Sequence, residues 1–246
     1  MLMMAGMKRE DPSFDHDDLL IQLGEHLSRH AMQVDGTGWG MDGGKKRPLN
    51  GFGHGRAGIG LALLETGARL DRPDFRDLGL AALRAEHEMR VDDLDGGGWP
   101  DLRSMTMTAP IPKPPYFNAW CAGGEGIALS RAAALEFTDE AFIRDDLDFA
   151  IDHISRDEKG QPSGGRRRHL CCGTSGRAEM FLSLAGLLER DDLAETGRHI
   201  ARRKLPPAYA APETTSLSLM QGLPGEIWAQ LSTLLDDQTH LLLLRV

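Results

Sequence analysis

The three cysteines of this chain lie in two short segments, and each segment runs directly into glycine. Cys121 belongs to the segment Trp-Cys-Ala-Gly, whereas Cys171 and Cys172 are adjacent and precede Gly173. A catalytic zinc site uses three protein ligands and an open fourth position, so three thiolates from two loops suit it. The competing interpretation is three unrelated core cysteines, which are common in buried positions. Residue types and spacing alone leave both interpretations open.

The elements that would position these cysteines come from a pattern that occurs four times, Gly-x-x-Gly followed by an apolar stretch. The four glycine motifs are residues 55–58, 123–126, 173–176 and 222–225. Alanine, leucine and methionine dominate these stretches, and such all-round apolar helices are typical of protein interiors. Predicted inner helices cover 59–70, 127–137, 177–189 and 226–235. The motifs then lie at helix N-termini, although the pattern can also serve only for close helix packing. For the fourth copy we favour that packing role.

Four more polar stretches alternate with the inner ones and have one apolar face. These predicted outer helices cover 17–33, 74–90, 140–154 and 192–203. Helical periodicity dominates, and no convincing strand pattern is found. The expected fold is therefore all-α, with about four stacked helical hairpins arranged as an arc or ring. One domain is expected over 17–246, after a disordered or weakly ordered N-terminus over 1–16.

Alignment of the four copies on their first glycine brings reactive side chains to one equivalent place. His54, Cys121 and the Cys171-Cys172 pair precede the first three glycines, and Met220 and Gln221 precede the fourth. A helix N-terminus lowers a thiol pKa, and histidine titrates near neutral pH. If the helix ends converge, thiols and a proton carrier converge with them. A histidine that only caps or packs at a helix start is the alternative for His54.

Bulk properties exclude some function classes. The formal net charge of −9 argues against a nucleic-acid binder, which usually has a basic excess. No apolar run approaches the roughly 20 residues of a membrane span, and the N-terminus lacks the apolar core of a signal peptide. A low, odd cysteine count without an export signal is typical of the reducing cytoplasm.

Five segments together resemble the LanC-like lanthionine cyclases. They are residues 51–59 (Gly-Phe-Gly-His-Gly-Arg-Ala-Gly-Ile), 120–127, 171–173, 99–103 (Trp-Pro-Asp-Leu-Arg) and 219–225. Their order and approximate spacing are most similar to the C-terminal cyclase domain of class II lanthipeptide synthetases (LanM), over roughly residues 17–240. Together the motifs are specific, whereas any one of them is weak.

This resemblance implies an α/α toroid that binds Zn²⁺ through Cys121, Cys171 and Cys172. The usual third ligand of the family is the histidine of Cys-His-Gly, so Cys172 makes the chain similar to a minority branch with three cysteine ligands. The implied reaction adds a peptide cysteine thiol to dehydroalanine or dehydrobutyrine and forms a lanthionine ring. His54 matches the motif position implied to protonate the resulting enolate.

The chain also departs from the family pattern. Members close a ring of about seven hairpins, whereas about four are expected here, so the resemblance implies an N-terminally truncated, incomplete ring. No part resembles the dehydrating domain of class II synthetases, which implies a dehydrated precursor peptide and a separate dehydratase. A partner chain or a second copy is expected to cover the open ends.

Some residues near these motifs do not match the residues that the family carries there. Phe117 stands where some members carry arginine, and neither Asp35 nor Asp42 matches the family's upstream aspartate. His169 and the arginines 166–168 are expected in a solvated loop.

The alternatives to a cyclase are a non-catalytic, zinc-stabilised scaffold that binds a peptide or partner, and a metal-free helical repeat protein.

Overall fold

The structure is a computed structural model that describes part of the 246-residue chain. The described residues are 1, 2, 4, 16–41, 43–93, 96–103, 105–113, 116–160, 169–202, 216–234 and 242, with the backbone alone at 159 and 160. Their helices are α1 (Asp17–His30), α2 (Arg56–Arg69), α3 (Pro73–His87), α4 (Gly124–Ala134), α5 (Ala141–Gly160), α6 (Thr174–Leu188), α7 (Asp191–Ala201) and α8 (Leu223–Leu231). Two short strands, β1 (Met32–Gln33) and β2 (Thr37–Gly38), complete them.

The helices form two layers. Helices α2, α4, α6 and α8 pack side by side in that order and make an inner row. Helices α3, α5 and α7 each pack against the inner helix that precedes them, and α1 lies against α2 and α3. The predicted all-α class with stacked helical hairpins is therefore confirmed.

Burial differs between the two layers as the sequence pattern predicts. Every residue of α4 is buried, and most of α2 and α6 is buried too. The outer helix α7 buries one side only, namely Leu193, Ala194, Gly197 and Ile200. This spacing of three to four residues places the apolar side chains on a single helical face.

One contact recurs in all four copies of the glycine motif. The second glycine faces the backbone carbonyl of the residue six positions earlier, so closely that no side chain fits between them. A Cβ would lie 2.1 Å from the oxygen of Phe52 at Gly58, 2.0 Å from Trp120 at Gly126, 1.9 Å from Leu170 at Gly176 and 2.1 Å from Leu219 at Gly225. Close packing thus occurs in every copy, not only in the fourth.

Two of the differences between the predicted and observed helix boundaries have a clear physical cause. Each inner helix begins three residues earlier than predicted, because the first glycine is the N-cap and the rest of the motif forms the first turn. The predicted outer helix 17–33 is wrong beyond His30. There β1 and β2 form an antiparallel hairpin, and its turn at Asp35 and Gly36 has φ of 51° and 77°.

Buried arginines join the helices. The Arg131 side chain of α4 is fully buried and binds Asp146 of α5 at 2.9 Å and Glu86 of α3 at 3.0 Å. Arg56, at the start of α2, donates to the backbone carbonyls of residues 34, 35, 37 and 48. It thereby fastens the β-hairpin and the loop that follows it to the inner row.

Most of the predicted weakly ordered N-terminus lies outside the described residues. Met1, Leu2, Met4 and His16 are described, and Leu2 is buried in the main hydrophobic cluster. Asp42 and residues 166–168 also lie outside the described residues. Within the described part of the chain, no helix is long and apolar enough to cross a membrane.

The glycine contact predicts a strong asymmetry between two alanine substitutions in the same turn. Gly126→Ala forces a Cβ against the Trp120 carbonyl, so we expect unfolding free energy to fall by about 1–3 kcal/mol. The control Gly124→Ala meets side-chain atoms alone, Oδ1 of Asn118 at 2.9 Å and Ile154 at 3.6 Å, and should cost less. Chemical denaturation measures both variants, and an equal loss in the two would contradict the packing argument.

Candidate metal centre

The three cysteines lie together at the N-termini of two adjacent inner helices, α4 and α6. Cys121 lies in the loop before α4, and Cys171 and Cys172 lie in the loop before α6. The three cysteines pack into one cluster with Ala119, Trp120 and Ala122. Cys121 is buried, the other two are half-buried, and all three are free thiols. The structure thus brings together the three predicted metal ligands.

A buried ion pair fixes the two cysteine loops relative to each other. Glu125, in the first turn of α4, binds Arg177, in the first turn of α6, at 2.8 Å, and neither side chain is exposed. Arg177 also binds Asp157 at 2.7 Å and Glu158 at 3.0 Å. Because these residues lie about one turn after the cysteines, the pair sets the separation of the loops that carry the thiols.

The loop that carries His54 packs against the Cys121 loop. A Cβ on Gly51 would lie 2.6 Å from the carbonyl oxygen of Cys121, and one on Gly53 would lie 3.0 Å from its Cβ. The backbone N–H of Gly51 donates to the carboxylate of Glu86 at 2.7 Å, and this hydrogen bond anchors the loop to α3. His54 follows directly, and its side chain is exposed. The predicted proton carrier therefore lies in a loop that packs against the Cys121 loop, and its own side chain is exposed to solvent.

The three thiols have unequal acidities. A hydrogen bond from Cys171 lowers the pKa of Cys121 to about 7, against burial that raises it, and the positive charge of Arg103 adds to the lowering. The pKa of Cys171 is raised by the hydrogen bond between Cys171 and Cys121, and burial adds to the increase. Burial, then the negative charge of Cys121, raises the pKa of Cys172. Cys121 is therefore the most acidic of the three thiols.

Two residues border this cluster that the sequence interpretation did not assign to it. Arg103 donates from Nη1 to Sγ of Cys121 at 3.8 Å, while Asp101 holds its guanidinium at 2.9 Å and 2.5 Å. Nδ1 of His169 lies 3.6 Å from Sγ of Cys172. His169 lies in a loop, as expected, but it is half-buried against Cys172 rather than fully solvated. Arg103 stands in the Trp-Pro-Asp-Leu-Arg segment, which was the available signal.

The residues present fit a zinc ion by donor type and charge. Three uncrosslinked sulfurs form a chain of contacts, and a divalent cation would supply the positive charge that favours loss of the thiol protons. The three sulfurs are nevertheless not all within 4.8 Å of one another. Among the described residues, His87, Asp145 and Asp146 are the group of three whose ligand atoms all lie within 4.8 Å of one another.

That second group is an ion-pair network rather than a metal site. Arg90 and Arg131 already bind the two carboxylate oxygens of Asp146, at 2.8 Å and 2.9 Å, and Arg90 also binds Asp145 at 2.7 Å. Guanidinium groups thus occupy the positions that a cation would take. The cysteine cluster remains the candidate centre, and a bound ion would have to draw its sulfurs together.

The comparison with known families agrees with this architecture. A family model described as lanthionine synthetase C-like protein matches residues 8–244. The chain belongs to this family. No curated protein matches it. Membership in the lanthionine synthetase C-like family indicates a cyclase-type enzyme, and proteins of this family generally bind zinc. The matched range includes both cysteine loops and the His54 loop.

The buried ion pair between the cysteine loops predicts a large stability effect. Arg177→Ala removes the guanidinium that binds the buried carboxylates Glu125 and Glu158, so unfolding free energy should fall by about 3–5 kcal/mol. The control Arg190→Ala removes an exposed arginine paired with Asp192, and we expect a much smaller change. Urea denaturation of both variants tests this, and similar losses would refute the special role of Arg177.

Arg103 predicts an effect on thiol reactivity in metal-free protein. Arg103→Gln removes a positive charge near Cys121, so the pKa of Cys121 rises and less thiolate is present at pH 7. We expect alkylation of Cys121 by iodoacetamide to slow about two- to fivefold at this pH. Arg72→Gln, which removes an arginine paired with Asp74 elsewhere, is the control. An unchanged pH profile for Arg103→Gln would exclude this influence.

Proposed function

We propose that the chain is a zinc-dependent lanthionine cyclase. It takes a cysteine thiol and a dehydroalanine or dehydrobutyrine of one peptide, forms a bond from sulfur to the β-carbon, and adds a proton at the α-carbon. The observation that carries the proposal is the meeting of Cys121, Cys171 and Cys172 at adjacent helix ends in a chain of this family.

Cys121, Cys171 and Cys172 would hold the zinc ion. When bound, zinc acts as a Lewis acid that favours the thiolate form of a substrate cysteine at neutral pH. Three thiolate ligands carry one more negative charge than the family's usual set with histidine. Arg103, held by Asp101 and directed at Cys121, lowers the electrostatic cost of that charge.

His54 supplies the proton that completes the addition. Attack at the β-carbon places negative charge on the α-carbon and its carbonyl, and a positioned acid neutralises that charge. The His54 loop packs on the Cys121 loop, and the exposed imidazole can regain its proton from water. Gly51 and Gly53 let the two loops approach closely, which supports the role of His54 because its loop lies beside the Cys121 loop and its side chain is exposed.

The finer identity of the enzyme is also a proposal. The three-cysteine set and the motif order favour a class II (LanM-type) cyclase domain. Its substrate is then a dehydrated precursor peptide. Three free thiols in one cluster fit a reducing compartment, and we propose the cytoplasm.

The position of His169 favours a second candidate, a non-catalytic scaffold with a structural zinc. Its Nδ1 lies 3.6 Å from Sγ of Cys172, close to the roughly 3.5 Å between neighbouring sulfur and nitrogen ligands of tetrahedral zinc. A fourth protein ligand would close the site, which is typical of structural rather than catalytic zinc. A peptide could then bind the chain without reacting.

Metal and activity measurements separate the candidates. We expect wild type, purified in reducing buffer, to hold one zinc per chain and to consume free thiols of a dehydrated peptide without changing its mass. Cys121→Ala should lose zinc and activity together. His54→Asn should keep zinc and close rings about a hundredfold more slowly or worse. A His54→Asn rate equal to wild type would eliminate the proposed acid.

His169→Ala distinguishes an open site from a closed one. In a cyclase, this variant keeps its zinc content and retains ring formation, because Cys121, Cys171 and Cys172 hold the ion. In a scaffold, it weakens zinc binding, and wild type leaves the dehydrated peptide's thiols intact. Peptide incubated without protein corrects for spontaneous cyclisation. Wild type without zinc would rule out both zinc-dependent candidates.

A further inference from the structure

The last inner helix has an uncovered apolar face. Leu219, Leu223, Ile227, Leu231 and Leu234 have exposed fractions from 42% to 75%, and we call them the α8 stripe. The first four recur at every fourth residue, so they lie along one side of α8 and the turn before it. Large contiguous apolar surfaces of this kind usually mark an interaction site.

The position of α8 explains why the stripe is uncovered. The inner helices α2, α4 and α6 each pack against a following outer helix, α3, α5 or α7. Helix α8 packs against α6, and no helix follows it among the described residues. It buries only Gly225 and Ala229, whereas α4 is buried throughout. The stripe is therefore the face that an outer helix covers in the other hairpins.

Charge indicates what kind of surface fits there. The chain has a formal net charge of −9, so two copies repel each other over most of their surfaces. Within residues 216–234 the one formally charged side chain is Glu226, which is half-buried. Charge repulsion between two acidic copies is therefore expected to be weakest along this stripe.

The stripe is also complementary to itself. Ile227 lies midway between Leu223 and Leu231, so a two-fold axis at Ile227 brings each Leu223 against Leu231 of the other copy. The two α8 helices then run antiparallel. Short turns connect α2 to α3 and α6 to α7, so an antiparallel neighbour is what the other inner helices already have.

We infer that the α8 stripe is a dimer interface, at which α8 of a second copy takes the place that an outer helix holds in the other hairpins. This inference is independent of the proposed reaction, because the stripe contains none of the residues assigned to the thiol centre. It assigns a surface and an occupant to the expectation that the open end of the helical arc is covered.

Sedimentation velocity over a concentration series tests the interface. Wild type should sediment as a dimer that dissociates on dilution. Ile227→Glu places two carboxylates across the axis and should raise the dissociation constant at least about tenfold. The control Leu19→Glu introduces the same charge at another exposed leucine, on α1, and should leave the dimer intact. Circular dichroism checks that both variants keep the helical content of wild type.

Three outcomes would overturn the inference. A wild type that stays monomeric throughout the series leaves the stripe to a different protein or to other residues of this chain. A dimer that Ile227→Glu does not weaken uses another surface. A dimer that Leu19→Glu weakens equally responds to added charge in general and not to this stripe.

Discussion

The close approach of a glycine to a backbone carbonyl, repeated at the start of every inner helix, underlies the rest of the structure. At Gly58, Gly126, Gly176 and Gly225, even a methyl group would overlap the carbonyl oxygen. The preceding loop is thereby folded tightly under the helix N-terminus. The residues just before each motif then stand at the same end of the inner row. The equivalence of His54, Cys121 and the Cys171-Cys172 pair follows from this constraint.

Buried charges specify how the hairpins sit relative to one another. An apolar interface between inner helices permits small slides, whereas Arg177 must reach Glu125, Asp157 and Glu158 together. Arg131 imposes the same demand among α3, α4 and α5. Burying such charges costs desolvation energy, and the fixed geometry of the guanidinium limits the solutions. Here the positioning serves the thiols, since Glu125 and Arg177 lie one turn after them.

The sequence alone determined the helical class, the alternation of inner and outer helices and the set of reactive residues. Each rests on local information, because apolar spacing reports a helical face and the repeated glycines mark equivalent positions. The same reasoning failed where long-range contacts prevail. Residues 32–33 continue the helical pattern of α1, yet they pair with 37–38, and Arg56 binds the carbonyls around that turn. Helix propensity over two or three residues is too weak to resist these bonds.

Only the tertiary structure decided what surrounds the thiols. Arg103 comes from a loop 18 residues before Cys121, and His169 lies against Cys172 although the sequence favoured a solvated loop. The full burial of Arg56, Arg131 and Arg177 is equally hidden from composition, since arginine is an exposed residue on average. The physical reason is that acidity and burial depend on groups distant in the chain. The sequence shows which residues are chemically reactive, whereas the charges that surround those residues follow only from the packing of the folded chain.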